Sequence, residues 1–316
     1  MTTKKAISAV WLSETGLTNL NSGVGASNLV DIKKYKLDGV DYPYVSGQAM
    51  RYYLKESIRR LIPSGKYCIA NDKGENCGNI QSCILCDLFG FMTTLKDQGA
   101  QIRVSPIKMS PAMGLLPLND NMTIDFLTRR KPQESAGELK GDIVNVELAV
   151  NVYKAGLSID LAKIGGEEVI QNKQRSICEK VDPEEKLTRV KTALEAFKNF
   201  SDYSKQARLL TDFTPDLILI SVQDKYNHIL QKALELNNSR SINLDRLDQV
   251  LRSTKSDSIY AGLISGTIKN EEGLKQILKT HNIELKTPIE AIDMVIASLD
   301  ADIFSAPSQE NAHSSD

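Results

Sequence analysis

The run Tyr42-Pro43-Tyr44-Val45-Ser46-Gly47-Gln48-Ala49-Met50-Arg51 constrains the architecture of this chain more than any other segment. A β-like Tyr-Pro-Tyr-Val stretch ends at Ser46-Gly47. Apolar residues then recur at Met50, Leu54, Ile58 and Leu61/Ile62, the spacing of one helix face. A strand that passes at once into a helix is a unit of a mixed α and β fold. Ser46 is placed as an N-cap, so the free N–H groups of Gly47, Gln48 and Ala49 form an anion site at the helix start. Arg51, Lys55, Arg59 and Arg60 decorate the same helix, and just upstream lies the loop Asn19-Leu20-Asn21-Ser22-Gly23-Val24-Gly25-Ala26-Ser27-Asn28. A loop without bulky side chains feeding a basic helix suits a phosphate-rich polymer better than a small apolar ligand. The competing reading is an ordinary amphipathic helix with a solvated basic face.

Charge does not decide between them. Thirty-nine Lys and Arg stand against 40 Asp and Glu, a net charge of −1, so any nucleic-acid groove must be local. At 316 residues the chain can bury a sizeable core. No apolar run approaches the roughly 18–20 residues that span a bilayer. The start Met1-Thr2-Thr3-Lys4-Lys5 lacks the apolar core of a signal peptide. Five cysteines, four of them crowded together, suit a reducing cytoplasm.

Along the chain, Ala6 to Leu12 alternates weakly and reads as a first strand. The basic helix covers 47–62 and stops before Pro63-Ser64-Gly65. A cysteine-bearing insertion follows over 66–86, then a short helix around 83–92 and a strand from Gln101 to Met109. Residues 111–142 match no packed element and read as an extended hairpin or flap. Asp142 to Ile159 is the most strand-like region, Glu184 to Phe200 is helical with Leu187, Val190, Leu194 and Phe197 on one face, and Leu217 to Val222 is a short apolar strand. From Tyr226 onward the spacing predicts mainly helix, at 224–236, 243–252, 271–281 and 288–299, and Ser305 to Asp316 reads as a disordered tail. Strands and helices in this loose order, with long insertions, suit an α+β fold.

Cys68, Cys77, Cys83 and Cys86 can supply four soft ligands to a tetrahedral zinc ion. A short insertion without its own core gains from such a cross-link. The spacing is irregular, and the alternative is four reduced thiols with Cys83 and Cys86 packed on one face. Four sulfurs would leave no seat for an activated water, so the zinc would be structural. Cys178 stands alone and reads as a buried small residue. Catalysis has little support: His228, His281 and His313 lie far from the candidate groove, and no nucleophile–base set or phosphate-binding loop is present.

Several stretches carry a family resemblance. They are the segment from Asn19 through the Ser46-Gly47-Gln48-Ala49-Met50-Arg51 helix start, Cys86-Asp87-Leu88-Phe89-Gly90-Phe91-Met92, Arg103-Val104-Ser105-Pro106, and Ser204-Lys205-Gln206-Ala207-Arg208-Leu209-Leu210-Thr211-Asp212-Phe213-Thr214-Pro215. In this order, over residues 5 to about 225, the chain resembles the DevR-like branch of CRISPR backbone subunits. Those proteins form the repeated spine of type I Cascade-like surveillance complexes, here of the I-B kind. The resemblance implies a ferredoxin-like, RRM-related palm sheet with a Cys-rich finger at 66–86, a thumb at 111–142 and a helical C-terminal region, in one hand-like domain over 1–304. It implies a non-enzymatic subunit that oligomerises head to tail along guide crRNA, presents it to target DNA and contacts other effector subunits. The thumb in such subunits displaces a nucleotide, which makes Met113, Leu115, Leu116, Met122, Ile124, Phe126 and Leu127 candidate wedge contacts.

For RNA, Asn21, Gly23, Ser27, Asn28, Ser46 and Gln48 can offer donors to phosphates, while Arg51 and Lys55 offer charge. Arg103 with Ser105, the run Arg129-Arg130-Lys131, and Lys205 with Arg208 can extend a basic track. Such a track reads backbone and not base identity. For each cluster a solvated surface is the alternative, and Arg51 is the leading single candidate. Two rival functions stand beside this one. Related subunits of another CRISPR class cut RNA with an early-loop aspartate, and Asp31 lies near that place, although the following Ile32-Lys33-Lys34 departs from a match. The other rival is a zinc-stabilised protein-interaction module without RNA.

Overall fold

The computed structural model describes residues 4–23, 28–95, 99–130, 141–171, 174–201, 209–254 and 257–304. In chain order the elements begin with β1 (Ala6–Thr18), β2 (Leu29–Val30), β3 (Lys34–Leu37), β4 (Val40–Val45), α1 (Gly47–Leu61) and α2 (Ile84–Phe89). Then come β5 (Phe91–Leu95), β6 (Gly99–Arg103), β7 (Ile107–Met109), β8 (Ala112–Gly114), β9 (Met122–Arg130), β10 (Gly141–Asp160), β11 (Gly166–Gln171), β12 (Gln174–Glu179) and α3 (Pro183–Phe197). The rest is β13 (Leu217–Gln223), α4 (Leu244–Ser253), β14 (Ser258–Leu263), α5 (Glu271–Thr280), β15 (Leu285–Lys286) and α6 (Pro288–Ser298). This is an α+β fold.

One large mixed sheet runs β15-β14-β13-β1-β10-β8-β4-β3, with β2, β7 and β9 also paired to β10. Its centre is β1, antiparallel both to β10 (Ala6↔Asp160 through Thr15↔Asn151) and to β13 (Ala6↔Gln223 through Leu12↔Leu217). Ile7, Ala9 and Trp11 of β1, with Ile218 and Ile220 of β13, face a core closed by α1, α3 and α6. Val10, Leu12, Leu217 and Leu219 face the other side, where Leu247 and Leu251 of α4 and Leu274 and Leu278 of α5 cover them. Burial of both faces explains why β1 alternates so weakly and why Leu217 to Val222 is apolar throughout.

Several expectations needed correction. Helix was expected over 224–236, but only a single 3-10 turn forms there, at Ile229–Lys232. The segment is pinned flat on the sheet by Gln231, whose amide donates to the Ala9 carbonyl at 2.7 Å and fills the space beside Gly156. The C-terminal third is also less helical than its spacing suggests, because β14 pairs with β13 over Leu217↔Leu263 to Val222↔Ser258. Gly262 in β14 lies under the start of α6; a Cβ there would sit 2.5 Å from Pro288 Cα. The single strand expected over 101–109 is two, β6 paired to β5 and β7 paired to β10. The break falls at Val104–Pro106, where proline has no N–H to give a ladder. The hairpin β11–β12, rich in Glu and Gln, carried no strand signal. Cys178, expected buried, is exposed on β12.

The 111–142 stretch holds β8 and β9. The latter pairs antiparallel with β10 from Met122↔Ala149 to Arg130↔Gly141, an extended hairpin arm. Leu115 and Leu116 pack back into the core, whereas Met122, Ile124 and Phe126 are 37%, 52% and 69% exposed. The wedge candidates therefore divide into two sets.

Candidate functional site

The start of α1 is assembled from three separate segments. Ser46 caps the helix, its Oγ accepting from Ala49 N at 3.3 Å, so the Ala49 N–H, expected free for an anion, is already taken. The Asn21 side chain accepts from Ser46 N at 3.0 Å, and the Tyr53 hydroxyl donates to the Leu20 carbonyl at 2.6 Å. These bonds dock the 19–23 loop onto the helix N-terminus. Gly23 donates to the Asp31 carbonyl at 2.8 Å, and the Asp31 carboxylate packs over it, 2.6 Å from where a Cβ would sit, so a larger residue would have to turn that side chain away. The Asn28 carbonyl accepts from Asn145 N at 2.8 Å, tying the loop's far end to β10.

Gln48, Arg51, Tyr52 and Lys55 line a groove of about 500 Å³ along one side of α1. Three of them were expected as RNA contacts. Tyr52, 47% exposed, was missed; its signal is an exposed aromatic beside cations on a helix that already has a full apolar face. Arg51 is braced from within. It donates to Ser105 Oγ and the Ile107 carbonyl, both at 2.9 Å, and to the Phe89 carbonyl at 2.7 Å. The Phe89 ring lies 5.4 Å from the Arg51 guanidinium and 5.2 Å from the Lys55 ammonium, in range of cation–π attraction to both. Burial lowers the Lys55 pKa, and Arg51 and Arg59 push it the same way while Cys86 and Cys68 oppose them.

Arg103 and Ser105, expected on the basic track, point inward. Arg103 donates to Asp87 Oδ1 at 2.5 Å and to the carbonyls of Asp87, Lys163 and Gly166. Its side chain is only 9% exposed, because a buried carboxylate needs a partner and Asp87 is fully buried. Arg189 of α3 supplies the second partner at 2.8 Å and donates to the carbonyls of Ile80 and Gln81. Asp87 was not singled out from sequence, although a lone acid inside Ile84-Leu85-Cys86-Asp87-Leu88-Phe89 is the mark of a buried ion pair. Of the remaining RNA candidates, Ser27, Lys131, Lys205 and Arg208 lie outside the described residues, as does the tail 305–316. Arg129 and Arg130 are described only in backbone, at the end of β9, and the Leu127 side chain is likewise not described.

Behind the groove the four expected thiols converge. Cys68, Cys77, Cys83 and Cys86 place their sulfurs within 4.8 Å of one another. Cys68–Cys86 is 3.6 Å, Cys77–Cys86 3.5 Å and Cys83–Cys68 3.7 Å. A regular zinc tetrahedron with Zn–S of about 2.3 Å has sulfurs about 3.8 Å apart, so the cage fits that ion. Backbone N–H groups of Cys77 and Cys86 donate to Cys68 and Cys83 Sγ at 3.5 and 3.4 Å, support that suits thiolates. The hydrogen bond with Cys86 draws the Cys83 thiol down to about 5, and the same contact pushes Cys86 up.

Comparison with known proteins adds family and fold. The family profile described as "CRISPR-associated negative auto-regulator DevR/Csa2" matches residues 14–235. Among solved structures, the chain is similar to one from a "CRISPR RNA-guided surveillance complex", with 15% identity and a TM-score of 0.55 over 93% of this chain and 99% of that one. It is also similar to one from a "CRISPR RNA-guided surveillance complex, pre-nicking", with 13% identity and a TM-score of 0.58 over 93% and 99%. At these identities the likeness is one of fold. No curated protein matches by sequence.

Proposed function

The chain belongs to the DevR/Csa2 family of CRISPR-associated proteins, and on that premise we propose that it is a non-enzymatic guide-RNA-binding backbone subunit of a type I surveillance complex, of the I-B kind. Copies assemble head to tail along the crRNA, a heterologous contact that propagates as a helix. Other subunits join them, and the guide is presented to target DNA. We read the central sheet as a ferredoxin-like, RRM-related palm, residues 66–86 as a finger held by structural zinc, and the β9–β10 arm as a thumb.

The groove along α1 carries the proposal. Gln48, Arg51 and Lys55 offer donors and charge, and Tyr52 offers a ring on which any base can stack. Nothing in that set prefers one base, as a subunit accepting every guide sequence requires. Among the described residues no helix is long and apolar enough to cross a membrane; the free thiols suit action in a reducing cytoplasm.

Lys55 is the cleaner probe, since Arg51 also holds internal bonds. Lys55→Ala should weaken binding of single-stranded RNA by about tenfold. The slope of log affinity against log salt should fall by about 0.7. Fluorescence anisotropy across a salt series reads both quantities. An unchanged affinity and slope would remove the groove from the RNA path, and purified protein with neither bound RNA nor salt-sensitive affinity would favour an RNA-free interaction module.

A second reading has one observation behind it. Asp31 Oδ1 is buried and no hydrogen-bond partner reaches it. If the assembled complex cuts matched RNA in divalent metal, and Asp31→Ala abolishes cutting, the subunit is an RNA-cleaving homologue.

A further inference from the structure

The thiol cage and the RNA groove share one small element. α2 is only six residues long, too short to hold its own shape in water. Its first turn belongs to the cage: Cys83 is the N-cap and Cys86 sits one turn later, both sulfurs buried among the other thiols. Its last residues belong to the groove. The Phe89 carbonyl and ring hold Arg51 and Lys55, and the Leu88 carbonyl accepts from Ser105, the residue that also receives Arg51.

We infer that zinc bound by Cys68, Cys77, Cys83 and Cys86 acts through α2 as the positioning device for Arg51 and Lys55, so that metal occupancy sets the affinity of the groove for RNA. The proposal rests on the RNA-binding reading given above. Its physical basis is twofold. Without the ion, Cys68 and Cys77 sit on an insertion that forms no helix or strand between α1 and α2, and the N-terminal end of α2 is left with the Arg189 bonds to the Ile80 and Gln81 carbonyls and the Ile84 N bond to the Lys66 carbonyl. With the ion, four thiolates around Zn²⁺ carry a formal charge of −2 beside a row of cations, Arg51, Lys55 and Arg59, that repel one another. That charge relieves the repulsion and favours seating the three side chains along the groove. Asp87, clamped by Arg103 and Arg189 in the middle of the same turn, is the competing anchor. If it alone fixes α2, the metal is irrelevant to the groove.

The test uses the full chain. Elemental analysis should find one zinc per chain, and Co²⁺ exchange should give the intense thiolate charge-transfer and tetrahedral visible bands of a four-sulfur site. Removing the metal with a high-affinity zinc chelator under reducing conditions should raise hydrogen exchange over 84–90 and 48–55 while circular dichroism of the large sheet is retained. RNA affinity should fall by about tenfold or more and return with added Zn²⁺. Cys83→Ser and Cys86→Ser should behave as metal-free protein, whereas Lys55→Ala should lose RNA and keep its zinc. Protein that holds no zinc, or chelated protein with unchanged exchange over 84–90, overturns the inference. So does a global melt on chelation, which would make the ion a support of the whole fold and not of the groove. Metal-dependent exchange with no RNA binding in either state would leave the coupling standing and refute the RNA reading.

Discussion

At the scale of single residues, the decisive group is one that touches no solvent. Asp87 is fully buried and ties α2 to β6 through Arg103 and to α3 through Arg189. Removing one partner of such a cluster strands the others' charges without water. Asp87→Ala should therefore lower stability by about 3–5 kcal/mol, read as a shift of the urea midpoint. Trp11, the single tryptophan, reports the transition because it is fully buried, edge-on to Phe197 at 4.7 Å. A shift under about 1 kcal/mol would place the anchorage of α2 elsewhere. The site was legible to the extent that its chemistry was local. The Ser46 cap, the Gln48–Arg51–Lys55 row and the four thiols lie close together in sequence, and each was read from it. Arg103 was misread because a cation beside a serine looks the same whether it faces a phosphate or a carboxylate that another turn supplies.

At the scale of elements, apolar period was read for α1, α3 and α6, and a cap only for α1. α1 carries its Ser46 cap, α3 follows Asp182-Pro183, and α6 opens with a full capping box between Thr287 and Glu290. β14 and the 224–236 segment were missed because their structure is imposed from afar. β14 is defined by pairing with β13, and Gln231 reaches a carbonyl 222 residues away. The β9–β10 arm offers a sharper test. Phe126 is 69% exposed on the edge strand β9, so Phe126→Ser should leave the urea midpoint within about 0.5 kcal/mol of wild type. If the arm acts as the proposed thumb, the same substitution should shorten RNA-bound assemblies in negative-stain images. Assemblies of normal length would assign the apolar stripe to another partner.

At the scale of the whole molecule, the sheet is a three-layer arrangement whose central strand joins distant parts of the chain. The two faces of β1 feed two separate cores, each closed by helices from different regions. Composition and charge predicted none of this, since a near-neutral total is compatible with any partition into layers. Long-range pairing delays closure of such a sheet. On dilution from urea, far-UV circular dichroism should recover before Trp11 fluorescence, because Ile218, Phe197 and Phe200 must all arrive to enclose the indole. Simultaneous recovery would argue that the centre of the sheet forms first.

The position of β1 also bears on how the protein is made. Ser13 meets the Phe213 carbonyl across 200 residues. At a synthesis rate of roughly 5–20 residues per second, the apolar stretch Ala6-Ile7-Ser8-Ala9-Val10-Trp11-Leu12 waits roughly 10–40 s outside the ribosome for the neighbour that seals its second edge. A nascent chain in that condition is a natural client for a holdase.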